Sequence, residues 1–182
     1  AATDNAAEQV AHIAEKIRAG KTTLGIEFGS TRIKAVLIDD NFQTIASGDY
    51  SWASHLEDGL WSYTTEEIWG GLQSAYSSMA NDVETAYGEK LTHVGHIGFS
   101  AMMHGYLAFD EAGELLVPFR TWQNTNTSEA HKKLSELFQY NIPERWSIAT
   151  SYQASRLNKA RARLQGGLLH HTRRLRALEA HR

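Results

Sequence analysis

The stretch LGIEFGSTRIKAVLI, residues 24–38, decides how this chain is read. Leu24, Ile26 and Phe28 alternate with Gly25 and Glu27, the period of a half-buried strand. Gly29-Ser30-Thr31 breaks the pattern as a turn, and Ile33 with Ala35 to Ile38 supplies a second apolar strand. Asp39-Asp40-Asn41 signals the next turn, after which Phe42, Thr44 and Ala46 alternate as a third strand. Connections this short predict an antiparallel meander. Glu27 points away from Ile26 and Phe28 and stands directly before the first turn. Gly29 permits close approach of backbone to a ligand, and the amides and hydroxyls of Ser30 and Thr31 suit phosphate oxygens. A carboxylate beside such a turn suits Mg2+ held through waters, and Lys34 adds a point charge. On local pattern alone, Gly-Ser-Thr between two strands is more often an ordinary tight turn.

Outward from this stretch the period changes. Residues 5–19 read as an amphipathic helix, with Asn5 as N-cap, Glu8 completing a capping box, Val10, Ile13 and Ile17 on one face, and Gly20 as the stop. Ile68, Leu72, Ala75, Met79, Val83 and Tyr87 predict a helix over 65–87, capped by Thr64 or Thr65 with Glu66 and Glu67 at its positive end. Val94 to Phe99 reads as a strand ending at Ser100, Tyr106 to Phe109 as another, and Leu115 to Phe119 as a further extended piece. Residues 128–140 read as a helix over Leu134, Leu137 and Phe138. Three meander strands, a crossover helix and a further strand predict an α/β domain with a mixed sheet, an order compatible with a ribonuclease-H-like fold.

Composition bounds the function classes. The 182 residues include no cysteine, which excludes a disulfide framework, a thiolate metal site and a cysteine nucleophile. No run of about 18 apolar residues appears, so no membrane span is expected, and the polar N-terminus shows no secretory signal. The expectation is a cytoplasmic protein. The net charge of −3 conceals a split: residues 1–150 carry 10 basic and 20 acidic side chains, residues 151–182 eight and one. All five Trp and all six Phe lie before residue 151. His93 and His96 have no third ligand at metal spacing and read as surface or strand-end residues.

Three segments together resemble one family. Residues 24–38 resemble the first phosphate motif of the FGGY carbohydrate kinases, which share the actin-like ATPase fold. Gly98-Phe99-Ser100-Ala101-Met102-Met103-His104-Gly105 resembles the G-x-x-x-Q-M-H-G segment of xylulokinases, on the strand after the crossover helix. Pro118-Phe119-Arg120-Thr121-Trp122-Gln123-Asn124 resembles the segment ending in Trp-Asn-Asp that follows. The resemblance covers residues 22 to about 150. The expected organisation is an N-terminal helix within 1–21, the first part of the kinase N-terminal domain over 22–150, as the resemblance implies, and a basic tail over 151–182.

The resemblance also implies roles. Glu27 stands where the family usually has Asp, near the metal and the γ-phosphate, one methylene further out. Gly29, Ser30 and Thr31 would border the phosphates of ATP, with Lys34 beside them and Mg2+ as the cofactor. Met103, His104 and Gly105 would face the sugar, and Trp122 and Asn124 would line its cleft, with Trp61 a weaker candidate. Asn124 replaces the usual acid and Asn126 an Arg common in xylulokinases, a loss of two charges that suits a neutral polyol or ketose. The bland accounts stand beside these. His104 could be a satisfied interior histidine, Met102 and Met103 core filler, and Trp52, Trp61 and Trp69 packing or cleft-capping residues.

The family's general base, a late aspartate, and its second domain have no counterpart here, so the resemblance implies an N-terminal portion that is itself inactive. The implied partners are a small sugar or polyol and ATP, with no membrane, no nucleic acid and a homo-oligomer through unfinished apolar surface. A non-catalytic sugar- or nucleotide-binding module of actin-like fold is the alternative. Three readings stay open for residues 155–182. One is a basic helix over Leu164, Leu168, Leu175 and Leu178, and another a nucleic-acid arm, which no stacking aromatic supports. The third is a shifted reading frame. One codon choice for Leu169–Arg182, read from its second nucleotide, gives FTTLAGYVHWKLTG, which resembles the family's own continuation. That places a frame shift between about Ala149 and Arg161, and nucleotide sequence across those codons is its direct test.

Overall fold

The computed structural model describes residues 2–157, so the basic tail from residue 158 on, with the readings attached to it, lies outside the described residues. The chain forms two compact units. One runs to Ser54 and includes Thr64–Met102; the other comprises His55–Tyr63 and the residues from Met103 on.

The first unit is built on the predicted meander. Strands β1 (Thr22–Phe28), β2 (Arg32–Asp39) and β3 (Thr44–Ser51) pair antiparallel. Helix α2 (Thr65–Tyr87) then carries the chain across to β6 (His96–Ala101), which pairs parallel with β1. The sheet order is β3-β2-β1-β6, as the ribonuclease-H-like reading expects. A parallel neighbour demands such a crossover, because a tight turn can only reverse the chain.

One face of the sheet is covered by α2. Ile33, Ala35 and Leu37 of β2 meet Ala75, Met79 and Val83 of the helix, all fully buried. Each large member of this set contributes about 1.5–3 kcal/mol by leaving water. Close contact depends on Gly48 of β3, where a Cβ would lie 2.3 Å from the Ala75 carbonyl oxygen and the Met79 nitrogen. Thr64 caps α2 by a reciprocal box: its hydroxyl accepts from the Glu67 amide at 3.0 Å, and the Glu67 carboxylate accepts from the Thr64 amide at 2.7 Å. Gly88 closes the helix in the left-handed region at φ 67°.

Helix α1 (Ala2–Arg18) starts earlier than its pattern suggests, so Asn5 lies inside it and caps nothing. Its last turns bury Ala14 and Ile17, with Ile17 joining the core shared by the sheet and α2. The Lys16 ammonium donates to Asp39 at 2.9 Å and pairs with Asp40 at 2.6 Å. The second oxygen of Asp39 accepts the amides of Asn41 and Gln43, tying α1 to the β2–β3 turn. Arg18 pairs with Glu89 beyond the end of α2.

Strand β6 begins at His96 rather than Val94, and all six of its residues are exposed. Alternation puts Ile97 and Phe99 on the helix side, but α2 packs on β2 and β3 and leaves them bare.

The second unit contains a hairpin, β4 (His55–Glu57) and β5 (Leu60–Ser62). Asp58 and Gly59 both take positive φ between them, the twist that two-residue hairpin turns require. The strands expected at 106–109 and 115–119 reduce to two isolated bridges, Tyr106 with Arg120 and Phe109 with Leu115. Asp110 turns the chain between them, its carboxylate accepting the amides of Ala112 and Glu114. Helix α3 (Ser128–Phe138) and helix α4 (Ser147–Tyr152), with a π-helical turn at Gln153–Leu157, enclose Ala130, Leu134, Ile142 and Ala149. Leu137 and Phe138 are exposed, contrary to the periodic reading. The chain folds back after Gln139, and Ile142 fills the space beside Leu134.

Candidate functional site

The phosphate-turn candidates come together on the uncovered face of the first unit's sheet. Register sets Glu27 of β1 opposite Lys34 of β2, Ser100 of β6 on its other side, and Asp49 of β3 beyond Lys34. The Lys34 ammonium stands 3.4 Å from the Glu27 carboxylate, and both side chains are half exposed. Arg32 pairs with Asp49 at 3.1 Å. The result is a row of alternating charge across the sheet, above a groove of about 500 Å³ floored by Gly25, Gly98 and Val36. Surface ion pairs of this kind are weak, so the pair does little to hold Lys34 at Glu27.

The turn itself is held from below. The Gly29 amide donates to the Arg32 carbonyl at 2.9 Å, and a Cβ at Gly29 would lie 2.9 Å from that oxygen. The Trp52 indole donates to the Gly29 carbonyl at 2.7 Å, and its amide donates to the Thr31 carbonyl at 3.1 Å. Trp52 thus fixes the turn, a role that its sequence position does not disclose. Ser30 and Thr31 stay at the surface. Among the described residues no group of three or more His, Cys, Asp or Glu gathers around one point. Glu27 therefore fits the kind of Mg2+ site in which one carboxylate assists waters and phosphate oxygens, and does not fit an all-protein cage.

The sugar-facing candidates all lie on the second unit. The expectation that Met103 and His104 sit on a strand is corrected: β6 stops at Ala101. His104 takes φ 65°, a left-handed conformation uncommon outside glycine, which turns the chain and leaves Met103 73% exposed. Gly105 lies on the ring of Phe119, where a Cβ would come within 2.8 Å, and Phe119 stacks on Tyr63 at 5.7 Å. An aromatic wall thus backs the His104 turn. Trp122 is half exposed.

The Asn124 side chain is engaged by backbone within the second unit. Its Oδ1 accepts the Trp61 amide at 2.8 Å, and its Nδ2 donates to the carbonyls of Trp61 at 2.8 Å and Thr121 at 3.2 Å. The amide acts as a length of strand edge that fastens β5 to the 121–124 segment. Arg120, absent from the sequence-derived candidates, is a partly buried cation here. Among the described residues no helix is long and apolar enough to cross a membrane.

Comparison with known proteins agrees with this geometry. Residues 22–155 match the family described as FGGY family of carbohydrate kinases, N-terminal domain. The chain is 30% identical to gluconokinase from Bacillus subtilis over 124 residues, 67% of this chain and 23% of that protein. It is 24% identical to xylulose kinase from Klebsiella pneumoniae, over 62% of this chain and 22% of that protein. It therefore spans less than a quarter of the length of these relatives. Among solved structures, xylulose kinase from Rhodospirillum rubrum superimposes with a TM-score of 0.61 at 16% identity, covering 75% of this chain and 30% of that one. That likeness places the sheet and its crossover in the actin-like ATPase fold. Through residues 22–155, which match the family's N-terminal domain, the chain belongs to the FGGY family of carbohydrate kinases.

Proposed function

We propose that this chain is the first-domain part of a kinase that transfers the γ-phosphoryl group of ATP to a hydroxyl of a sugar or polyol. The observation that carries the proposal is the Glu27–Gly29–Thr31 turn with Lys34 facing Glu27 across the sheet. In this reading the amides and hydroxyls of Ser30 and Thr31 hold phosphate oxygens, and Lys34 leaves Glu27 to neutralise them. Mg2+ at Glu27 would supply charge neutralisation between β- and γ-phosphates. His104 orients the acceptor through a hydroxyl, Met103 and Trp122 shield it from water, and Asn124 holds Trp61 in place. Gluconokinase and xylulose kinase among the relatives support a sugar-type acceptor. A cytoplasmic setting, where ATP is supplied, fits this reading.

Phosphoryl transfer needs positioning and charge on both sides of the nucleotide. The chain carries one side of that arrangement, so the 182-residue protein by itself binds without turning over. The alternative, a non-catalytic sugar- or nucleotide-binding module, predicts the same inactivity but no phosphoryl transfer from any longer parent. A coupled assay of the pure chain against pentuloses, hexuloses and polyols should show no sugar-dependent ATP consumption above background. Thermal stabilisation by Mg·ATP should be present and should disappear in Glu27→Ala. Sugar-dependent turnover would remove the inactivity, and an unchanged Mg·ATP response in Glu27→Ala would remove the assigned phosphate turn.

A further inference from the structure

Among the described residues Arg120 is a cation whose Nε has no hydrogen-bond partner. Its two chain neighbours, Phe119 and Thr121, are both buried. Its backbone exchanges two hydrogen bonds with Tyr106, at 2.9 and 3.1 Å, which places the two side chains next to each other on one face. The Arg120 Nε is buried without a hydrogen-bond partner, and no carboxylate among the described residues forms an ion pair with this guanidinium. Burial pulls its pKa below the ordinary arginine value, and the neighbouring Tyr106 phenol pushes it back up. Taking a guanidinium out of water without a counter-ion is unfavourable unless something else supplies the missing acceptor.

The position along the chain indicates what that is. Arg120 precedes Trp122 by two residues, and its bridge partner Tyr106 follows His104 by two, so the cation and its bridge partner each stand two positions along the chain from a sugar-facing candidate. We propose that Arg120 is a specificity-determining residue that receives an anionic group, a carboxylate or a phosphate, carried by the sugar acceptor. This inference rests on the sugar-kinase reading and refines it. The planar fork of a guanidinium matches both anions in two-point geometry, which the hydroxyls of a neutral polyol cannot reproduce. It also reverses the expectation of an uncharged pocket. That expectation counted the charges lost at Asn124 and Asn126, but the Asn124 amide is occupied by Trp61 and Thr121, and the cation at Arg120 remains.

The test is calorimetric titration of the whole 182-residue chain with matched pairs. Gluconate is set against glucitol, xylonate against xylitol, and xylulose 5-phosphate against xylulose, with inorganic phosphate alone as a further probe. The same titrations are run on Arg120→Met and Arg120→Lys, each checked for native circular dichroism. The expected result is at least about tenfold tighter binding of one class of anionic sugar than of its neutral partner. That preference should collapse in Arg120→Met and persist in part in Arg120→Lys. The carboxylate and phosphate pairs then tell the two anions apart. Equal binding of charged and neutral partners, or a preference that survives in Arg120→Met, overturns the inference and leaves the sugar reading standing. If inorganic phosphate binds as tightly as the anionic sugars, the site is a general anion site and the inference fails. If neither member of any pair binds, the inference and the sugar reading fall together.

Discussion

Lys16 shows what a single side chain can hold together. Its hydrogen bond to Asp40, then that to Asp39, raises its pKa against the opposing effect of burial. Burial would push the Asp39 carboxyl up, but the Gln43 amide, the Lys16 ammonium and the Asn41 amide together hold it below its ordinary value. The signs follow by linkage. Asp39 stabilises the fold above its ordinary 3.8, and that contribution is lost as pH falls through the lower folded value. Lys16 stabilises it fully below 10.5, and that contribution is lost as pH rises through the higher folded value. Lys16→Met should therefore lower the melting temperature at neutral pH and flatten both the acid and the alkaline limbs of the stability profile. Thermal denaturation across pH checks this, and a variant with limbs as steep as the parent's would refute it. None of this was legible in the sequence, because Lys16 and Asp39 are 23 positions apart and nothing in a periodicity links them. Asn124 and Trp61, 63 apart, escaped for the same reason. Glu27 and Lys34 were legible, since a tight turn between two strands sets their register by counting.

Elements were easier to read where their period was long and their ends were marked. Helix α2 has both: six apolar residues at steps of three and four, a Thr64 cap and a Gly88 stop. Removing the cap by Thr64→Ala should cost about 1 kcal/mol in urea unfolding, with an unchanged denaturant slope. Gly48→Ala tests the contact from the sheet side. Its methyl meets backbone atoms of α2 at 2.3 Å, and backbone gives way less easily than a side-chain tip. A loss at or beyond the ~1–3 kcal/mol of ordinary overpacking is expected, and a loss below about 0.5 kcal/mol would mean that α2 shifts freely over β3. The short pieces between residues 55 and 120 were read poorly. Three-residue strands and single bridges carry too few alternations to register a period, and their pairing is decided by turns such as Asp58-Gly59. In α3 the apolar spacing was real, but the buried cluster takes Ala130 and Leu134 with Ile142 from beyond the helix, and leaves Leu137 and Phe138 exposed.

At the scale of the whole molecule, the meander and crossover that give the chain its fold follow from period and turn length alone. The two-unit organisation does not, because Ser54 to Thr64 leaves and re-enters the first unit without any break in composition. The bare fourth strand was likewise only half foreseen: its order in the sheet follows from topology, its exposure from what α2 fails to reach. That exposure has a consequence in time. Strands β1, β2 and β3 meet through turns of a few residues, whereas β6 pairs with β1 only after some seventy intervening residues are gathered in. Closing so long a loop costs entropy, and a strand exposed at every position recovers little of it by burial. Strand β6 should therefore join last and open first, while Ile33, Ala35 and Leu37 at the centre exchange only on global unfolding. Amide hydrogen exchange should show the β6 protons leaving well ahead of those of β2. Equal protection across the sheet would mean that the four strands fold and unfold as a single step.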